Sequence, residues 1–477
     1  MCNGSVADKG KPNIVDRSGR HQLPIGIESF EDVLEEFTYV DKSLAVKELV
    51  DRRGVTLYCR PRRFGKSTFL RMLQCFFEAP RNAGQPTRKP LFDGLAISQD
   101  DRRYMDECSA HPVIYLNLSG CGAATYEQTL AKIASVVAAE FARHRYLYDP
   151  TWMFPIEQER FQRLTGGTAS EAELMGSLTW LATLLRNHHG SQVVVLIDEY
   201  DTPVNDAHLN GFRRRVLDFY RSWLSNALKG TVDLYCAVLT GVLRVSQESI
   251  FSELNNVRFD TTLDEGRAEA IGFTAMEAAT LAAYVGRSDR IAEMAEWYDG
   301  YRFGKADICN LWSVLNYLQT GEAQPYWTNT SSNGIVSDLV RRAGEEQTAE
   351  LAELAGGGVV TKPLDLDTVF DDLGNNPEAV WAQLYQTGYV TTSDTGMPND
   401  DRMPRELRIP NLEVGRLYGK ELLARATRLA ACARDVALAQ ADRKVYGHGL
   451  VGTGLVRWGV AFCGKRVAVV CDTAKLD

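Results

Sequence analysis

The sequence has no apolar run approaching the ~18–20 residues that a transmembrane helix needs. Its longest candidate, Val193–Ile197, has the length of a strand. The opening MCNGSVADKGKPNIVDRSGRHQ is polar and lacks the apolar stretch of a secretory signal, so residues 1–22 read as a disordered arm. Ten cysteines are scattered singly, with no CxxC pair and no Cys/His spacing suited to zinc. Positive charge is also short: 53 Lys and Arg face 62 Asp and Glu, for a net charge of -9. There are no internal repeats and no long low-complexity tract. These absences lead to the expectation of a cytoplasmic chain in a reducing compartment, without membrane or structural zinc. An acidic chain has no global pull on nucleic acid, so any such contact needs a local basic patch.

What is present is an ordinary globular balance, 45% hydrophobic and 24% charged, over 477 residues, which is enough for two to four domains. LPIGIESFEDVLEEF reads as a turn and an amphipathic helix, and YVDKSLAVKELVD as a second helix capped at Asp41 or Ser43. Short apolar strands follow at Val55–Cys59, Val113–Leu118, Val193–Ile197 and Leu234–Leu239, separated by helical stretches, the longest about 124–187. Strands buried on both faces and alternating with helices predict an α/β fold with a parallel sheet covered by helices. Beyond Gly272 helices dominate, with aromatic-rich turns at 297–304 and 325–333. Residues 378–394 read as a helix and then a strand, and the C-terminal end as a hairpin around Cys463-Gly464.

Arg60 to Ser67, RPRRFGKS, fits GxxxxGK[ST] except that Arg60 stands at the first Gly. In such a P-loop the backbone amides and the positive end of the following helix cradle phosphates. Gly65 allows close approach, Lys66 places a charge between the β- and γ-phosphates, and the Ser67 hydroxyl ligates Mg²⁺. Arg62, Arg63, Phe64 and Thr68 complete the expected nucleotide-binding set. The arginines would neutralise phosphate or pair with Asp198, Glu199 or Asp201, and Asp201 itself reads as structural, holding one of them. Pro61 presets part of the turn.

VVVLIDEYD supplies the second half. Asp198, at the end of a buried strand, is the expected Mg²⁺ partner, and Glu199 the general base that polarises water. Thr240 at the next strand's tip would sense the γ-phosphate. Arg244 would contact phosphate or a neighbouring subunit, or else be a solvated arginine at a helix start. The run Arg213-Arg214-Arg215 reads as a solvated helix face.

LPIGIESFEDVLEEFTYVDKS, RPRRFGKST, LIDEYDTPVNDAHLNGF, AVLTGVLRVSQESIFSELNNV, WYDGYRFG and PYWTNTSSN occur in this order. Together they resemble the prokaryotic "predicted AAA-ATPase" family, over about residues 23–394 and a terminal fragment. The resemblance implies an additional-strand, catalytic-glutamate P-loop core (23–271) and a helical lid with a winged-helix-like segment (272–394). It also makes Arg60 at the first Gly a family habit, and implies ATP and Mg²⁺ as ligands. DNA contact through the winged-helix-like part and a homo-oligomer are the further partner expectations, in mobile-element or defence biology.

Family members carry a C-terminal PD-(D/E)XK nuclease whose strands bear an Asp and a Glu-x-Lys. Here RIPNLEVGRLYGKELLARATRLAACARD runs directly into ALAQADRKVYG, leaving no room for those strands. Residues 395–477 therefore read as a degenerate nuclease-like remnant, and Asp442-Arg443-Lys444 as a chance D-x-K. The function expected is Mg²⁺-dependent ATP hydrolysis without nuclease activity. The alternative is a nucleotide-gated switch that binds ATP with little or no turnover.

Overall fold

The computed structural model describes residues 12–82, 84–229, 232–244, 257–264, 266–330, 336–337, 340, 344–366, 379–393, 403–425, 455–463 and 466–474. The chain divides into two compact units, 1–331 with 359–414, and 332–358 with 415–477.

The first unit begins with β1 (Ile14–Asp16) and β2 (Thr38–Val40), paired antiparallel. Residues 12–22 are thus not a disordered arm. The Asp16 carboxylate gathers the backbone amides of Gly19 and His21 and the Ser18 hydroxyl, a polar turn that composition alone does not reveal. Ser29 caps the expected helix Phe30–Glu36. Tyr39 and Val40 are strand rather than helix, and helical structure resumes only at Ser43–Ala45 and Val46–Asp51.

The core is a five-stranded sheet of β3 (Gly54–Cys59), β4 (Val113–Asn117), β5 (Val193–Asp198), β6 (Leu234–Gly241) and β7 (Val257–Asp260). Its order is β4-β5-β6-β3-β7 and every pairing is parallel. All six residues of β5 are buried, as both faces of the sheet are covered. Tyr58, Val194, Leu196 and Val238 pack with Phe69, Leu73, Phe76 and Phe77 of helix Lys66–Phe77. Helices Ser177–His189 and Arg213–Leu228 are joined by a hydrogen bond from the Trp223 indole to Ser177 Oγ at 3.1 Å. The expected helical stretch over about 124–187 consists of Tyr126–Arg143, Pro155–Thr165, Glu171–Met175 and most of Ser177–His189. Asp149-Pro150 and Gly166-Gly167 interrupt it.

β6 lies between β3 and β5, so the glycine-lysine-serine loop and the acidic strand end leave the sheet at one edge with a further strand between them. This is the additional-strand arrangement of an α/β P-loop sheet.

After the sheet, helices Ala275–Tyr284, Ile291–Tyr298 and Leu311–Thr320 accompany β8 (Phe273–Thr274), β9 (Tyr301–Phe303) and β10 (Ala306–Cys309). The aromatic turn at 297–304 is the entry to the β9/β10 hairpin. A second small sheet, β11-β13-β12, joins Val360–Pro363 (β11), Thr391–Thr392 (β12) and Pro404–Arg408 (β13), with the expected helix at Ala379–Thr387 between β11 and β12. The other unit holds helix Glu345–Ala355 and the expected terminal hairpin, β14 (Leu455–Cys463) with β15 (Arg466–Ala474). Asp442-Arg443-Lys444 falls outside the described residues.

Candidate nucleotide site

The loop after β3 is shaped by two left-handed residues, Arg63 at φ +69° and Gly65 at φ +97°. For glycine this is cheap; for Arg63 it costs on the order of 1 kcal/mol. Among the described residues, no backbone carbonyl accepts from the amides of Arg62 to Thr68, and the first helical bond at this end runs from Phe69 N to Gly65 O at 3.0 Å. A run of free amides at a helix start is anion-binding chemistry.

Lys66 is buried, and its Nζ donates to the carbonyls of Arg60 and Pro61, both at 3.2 Å. The same nitrogen lies 3.4 Å from Glu199 Oε1, so the two sequence motifs meet. Glu199 sits at φ +53° just past the end of β5, a conformation that bulky residues rarely adopt. Burial works against its charge, but Lys66 and then Arg62 hold its carboxyl below the ordinary range.

Asp198 is fully buried, and burial raises its pKa against the opposing influence of the Ser67 and Thr240 hydroxyls. Thr240 Oγ1 donates to Oδ1 at 2.5 Å, while Oδ2 has no well-formed partner despite the proximity of Ser67. The Thr240 hydroxyl hydrogen is therefore engaged by Asp198. Asp201 corrects the expectation of an arginine partner. Its Oδ2 accepts from the amides of Val242 and Leu243 at 3.0 and 2.9 Å, pinning the end of β6. Burial and the neighbouring Glu199 raise its pKa.

Two other loop side chains depart from a ligand-contact role. Phe64 is buried against Tyr301 and Phe303, with centroid distances of 5.0 and 5.4 Å, so its side chain belongs to the core. Arg63 lies 4.5 Å above the Trp312 ring. Arg244 lies over Phe259 at 4.6 Å, and its amide donates to Gln386 Oε1 at 2.8 Å. Arg215 pairs with Glu127 at 2.8 Å and covers Tyr126, in keeping with a solvated helix face.

The residue that weakened the motif proves to be an anchor. Arg60 is fully buried and ion-paired to Asp260 at the end of β7, and it donates to the carbonyls of Asp260 at 2.8 Å and Cys59 at 3.0 Å. Arg267 also reaches Asp260 at 3.4 Å and is held by Glu48. Sequence reasoning missed Asp260, Arg267 and Glu48; the only signal was the arginine standing where glycine belongs.

An apolar crevice opens beside Gly65 and Thr68, lined in part by Pro24, Ile27, Phe69, Ile271, Phe273 and Leu311. Among the described residues there is no group of three or more His, Cys, Asp or Glu side chains suited to a metal, and no helix is long and apolar enough to cross a membrane.

A protein of Azotobacter chroococcum mcd 1, described as uncharacterized and lying in the vnfD 5' region, is 28% identical over 416 residues. The match covers 85% of this chain and 70% of that protein. A solved structure from Pyrococcus horikoshii also matches: the Signal Transduction ATPase with Numerous Domains (STAND) protein with a tetratricopeptide repeat sensor. It does so with a TM-score of 0.29 at 12% identity, over 83% of this chain and 46% of that one, so this chain spans less than half of its length. Residues 24–251, which contain both the phosphate-type loop and the acidic strand end, match the family described as Predicted AAA-ATPase.

Proposed function

We propose that this chain binds ATP with Mg²⁺ at the carboxyl edge of the sheet and hydrolyses it. The observation that carries the reading is the convergence of Lys66 Nζ and Glu199 Oε1, 3.4 Å apart, beside a loop whose amides meet no backbone carbonyl among the described residues. The amides and Lys66 would take the β- and γ-phosphates, and the apolar crevice beside Gly65 would take the base. The donor set suits a hard divalent cation: Asp198 keeps one buried oxygen without a well-formed partner, and the Ser67 hydroxyl is nearby. A bound Mg²⁺ would neutralise phosphate charge. Glu199, kept ionised by Lys66 and Arg62, would accept a proton from the attacking water.

Glu199→Gln should bind ATP and lose at least ~100-fold in steady-state phosphate release, the lower range for removing a general base. Unchanged turnover would remove Glu199 from that role. The Lys66–Glu199 ion pair also favours a second reading, a switch in which the base stays engaged and turnover is minimal. A burst of one phosphate per chain followed by near-zero release would select it.

A further inference from the structure

The loop is gripped from its outer side by chain that the nucleotide motifs do not include. Helix Leu311–Thr320 begins at this point, capped by Asn310, whose side chain accepts from the Ser313 amide at 3.0 Å. Its first two residues lie on the loop. A Cβ on Gly65 would stand 3.0 Å from Leu311 Cδ1, so that leucine fills the space a side chain would need. Trp312 carries the Arg63 guanidinium on its ring, and its amide donates to the Arg63 carbonyl at 3.2 Å. The turn is pinned from behind by buried Glu413, which accepts from the Ser313 hydroxyl at 2.8 Å and the Trp327 amide at 2.6 Å. On the loop's other flank, a Cβ on Gly388 would meet Pro61 Cβ at 2.9 Å, so chain following helix Ala379–Thr387 also rests on the loop.

Arg63 is the costly residue of this loop, with its left-handed backbone, and Trp312 touches it through both side chain and main chain. A contact that holds a strained conformation favours whatever ligand needs that conformation, and by linkage the ligand strengthens the contact by the same factor.

We propose that Trp312 is a positioning residue that holds the phosphate-binding loop, through Arg63, in its ligand-ready shape. The contact thereby couples the segment after the sheet to triphosphate occupancy. The proposal rests on the ATP-binding reading above. The Arg63–Trp312 contact is made in the structure described, so its loss acts on affinity. Asp198 and Glu199 stand on β5 and its exit, apart from this contact, and turnover of bound ATP is left in place.

The test is a double-mutant cycle on the full chain, with ATP and Mg²⁺ titrated by calorimetry against wild type, Arg63→Met, Trp312→Leu and the double variant. Trp312→Leu should weaken ATP binding ~10-fold, equivalent to ~1.4 kcal/mol, while turnover at saturation stays within about 2-fold of wild type. The double variant should be no weaker than about the worse single variant. Trp312→Phe, which keeps a ring face, should restore most of the affinity. The Trp312 amide should exchange more slowly with solvent when ATP is present; a purely structural tryptophan would change exchange and melting equally with and without ligand. Additive losses, an ATP affinity of Trp312→Leu within about 2-fold of wild type, or a ligand-independent exchange rate each overturn the proposal. Should Trp312→Leu fail to fold, Trp312→Phe, Arg63→Met and the exchange measurement decide it alone. Wild type that binds no ATP, indistinguishable from Lys66→Ala, would instead sink the underlying nucleotide site.

Discussion

Replacing Arg60 by methionine removes a guanidinium from full burial while keeping an apolar stem of similar reach. The loss is that of half a buried ion pair, which typically costs 3–5 kcal/mol because the remaining charge is left in a poor environment. Two features place Arg60→Met near the lower end. Asp260 keeps Arg267 at 3.4 Å, and the methionine stem can pack against Phe303, over which the guanidinium now lies at 5.1 Å. Against this, the carbonyls of Cys59 and Asp260 each lose a charged donor. A net destabilisation of ~3 kcal/mol lowers the melting temperature of a unit of this size, residues 1–331 with 359–414, by roughly 3–5 °C, because the unfolding entropy grows with length. Differential scanning calorimetry of the two proteins in one buffer reads it directly. The variant should also bind ATP more weakly, because the Arg60 carbonyl is one of the two that hold Lys66 Nζ. A melting temperature within about 2 °C of wild type would show that the buried pair contributes little, and the account of Arg60 as anchor would be wrong.

Two further outcomes follow from the same geometry. Thr240→Val removes the hydroxyl that donates to Asp198 and lowers its pKa; the variant should need several-fold more Mg²⁺ for half-maximal ATP binding, and an unchanged Mg²⁺ titration would remove Thr240 from the metal site. Burial pushes Glu413 up to about 7, against an ordinary carboxyl near ~4.3. The folded chain therefore holds a proton there that the unfolded chain releases, so this group's contribution to stability falls as pH rises from about 4 to about 7. Glu413→Gln should flatten that slope, so its melting temperature should gain on wild type between pH 5 and pH 8; parallel melting curves for the two proteins would contradict the assignment.

How much could be read before folding depended on how local the information was. Gly65-Lys66-Ser67 declared itself because phosphate chemistry demands those residue types at that spacing between a strand and a helix. Val193–Ile197 declared itself as a strand because a run buried on both faces must be apolar throughout. Asp198 and Glu199 were legible as the acidic end of that strand. By contrast, β1 was hidden in a polar segment whose order comes from side-chain hydrogen bonds to Asp16. Phe64 looked like part of a ligand-binding loop, yet its side chain serves the core beside Tyr301 and Phe303. Asp201 looked like an arginine's partner and instead holds the backbone amides after β6, because the parallel pairing of β5 with β6 brings those amides to its carboxylate.

The sequence by itself determined the alternating strands and helices, the phosphate-type loop and the acid pair, since each is a matter of residue type and short-range spacing. Only the tertiary structure decided that Arg60 would be buried against Asp260, 200 residues away, and that Trp312 would lie on Arg63. Those partners are chosen by strand order and by where the chain returns after the sheet, and neither leaves a periodic trace in the residues themselves.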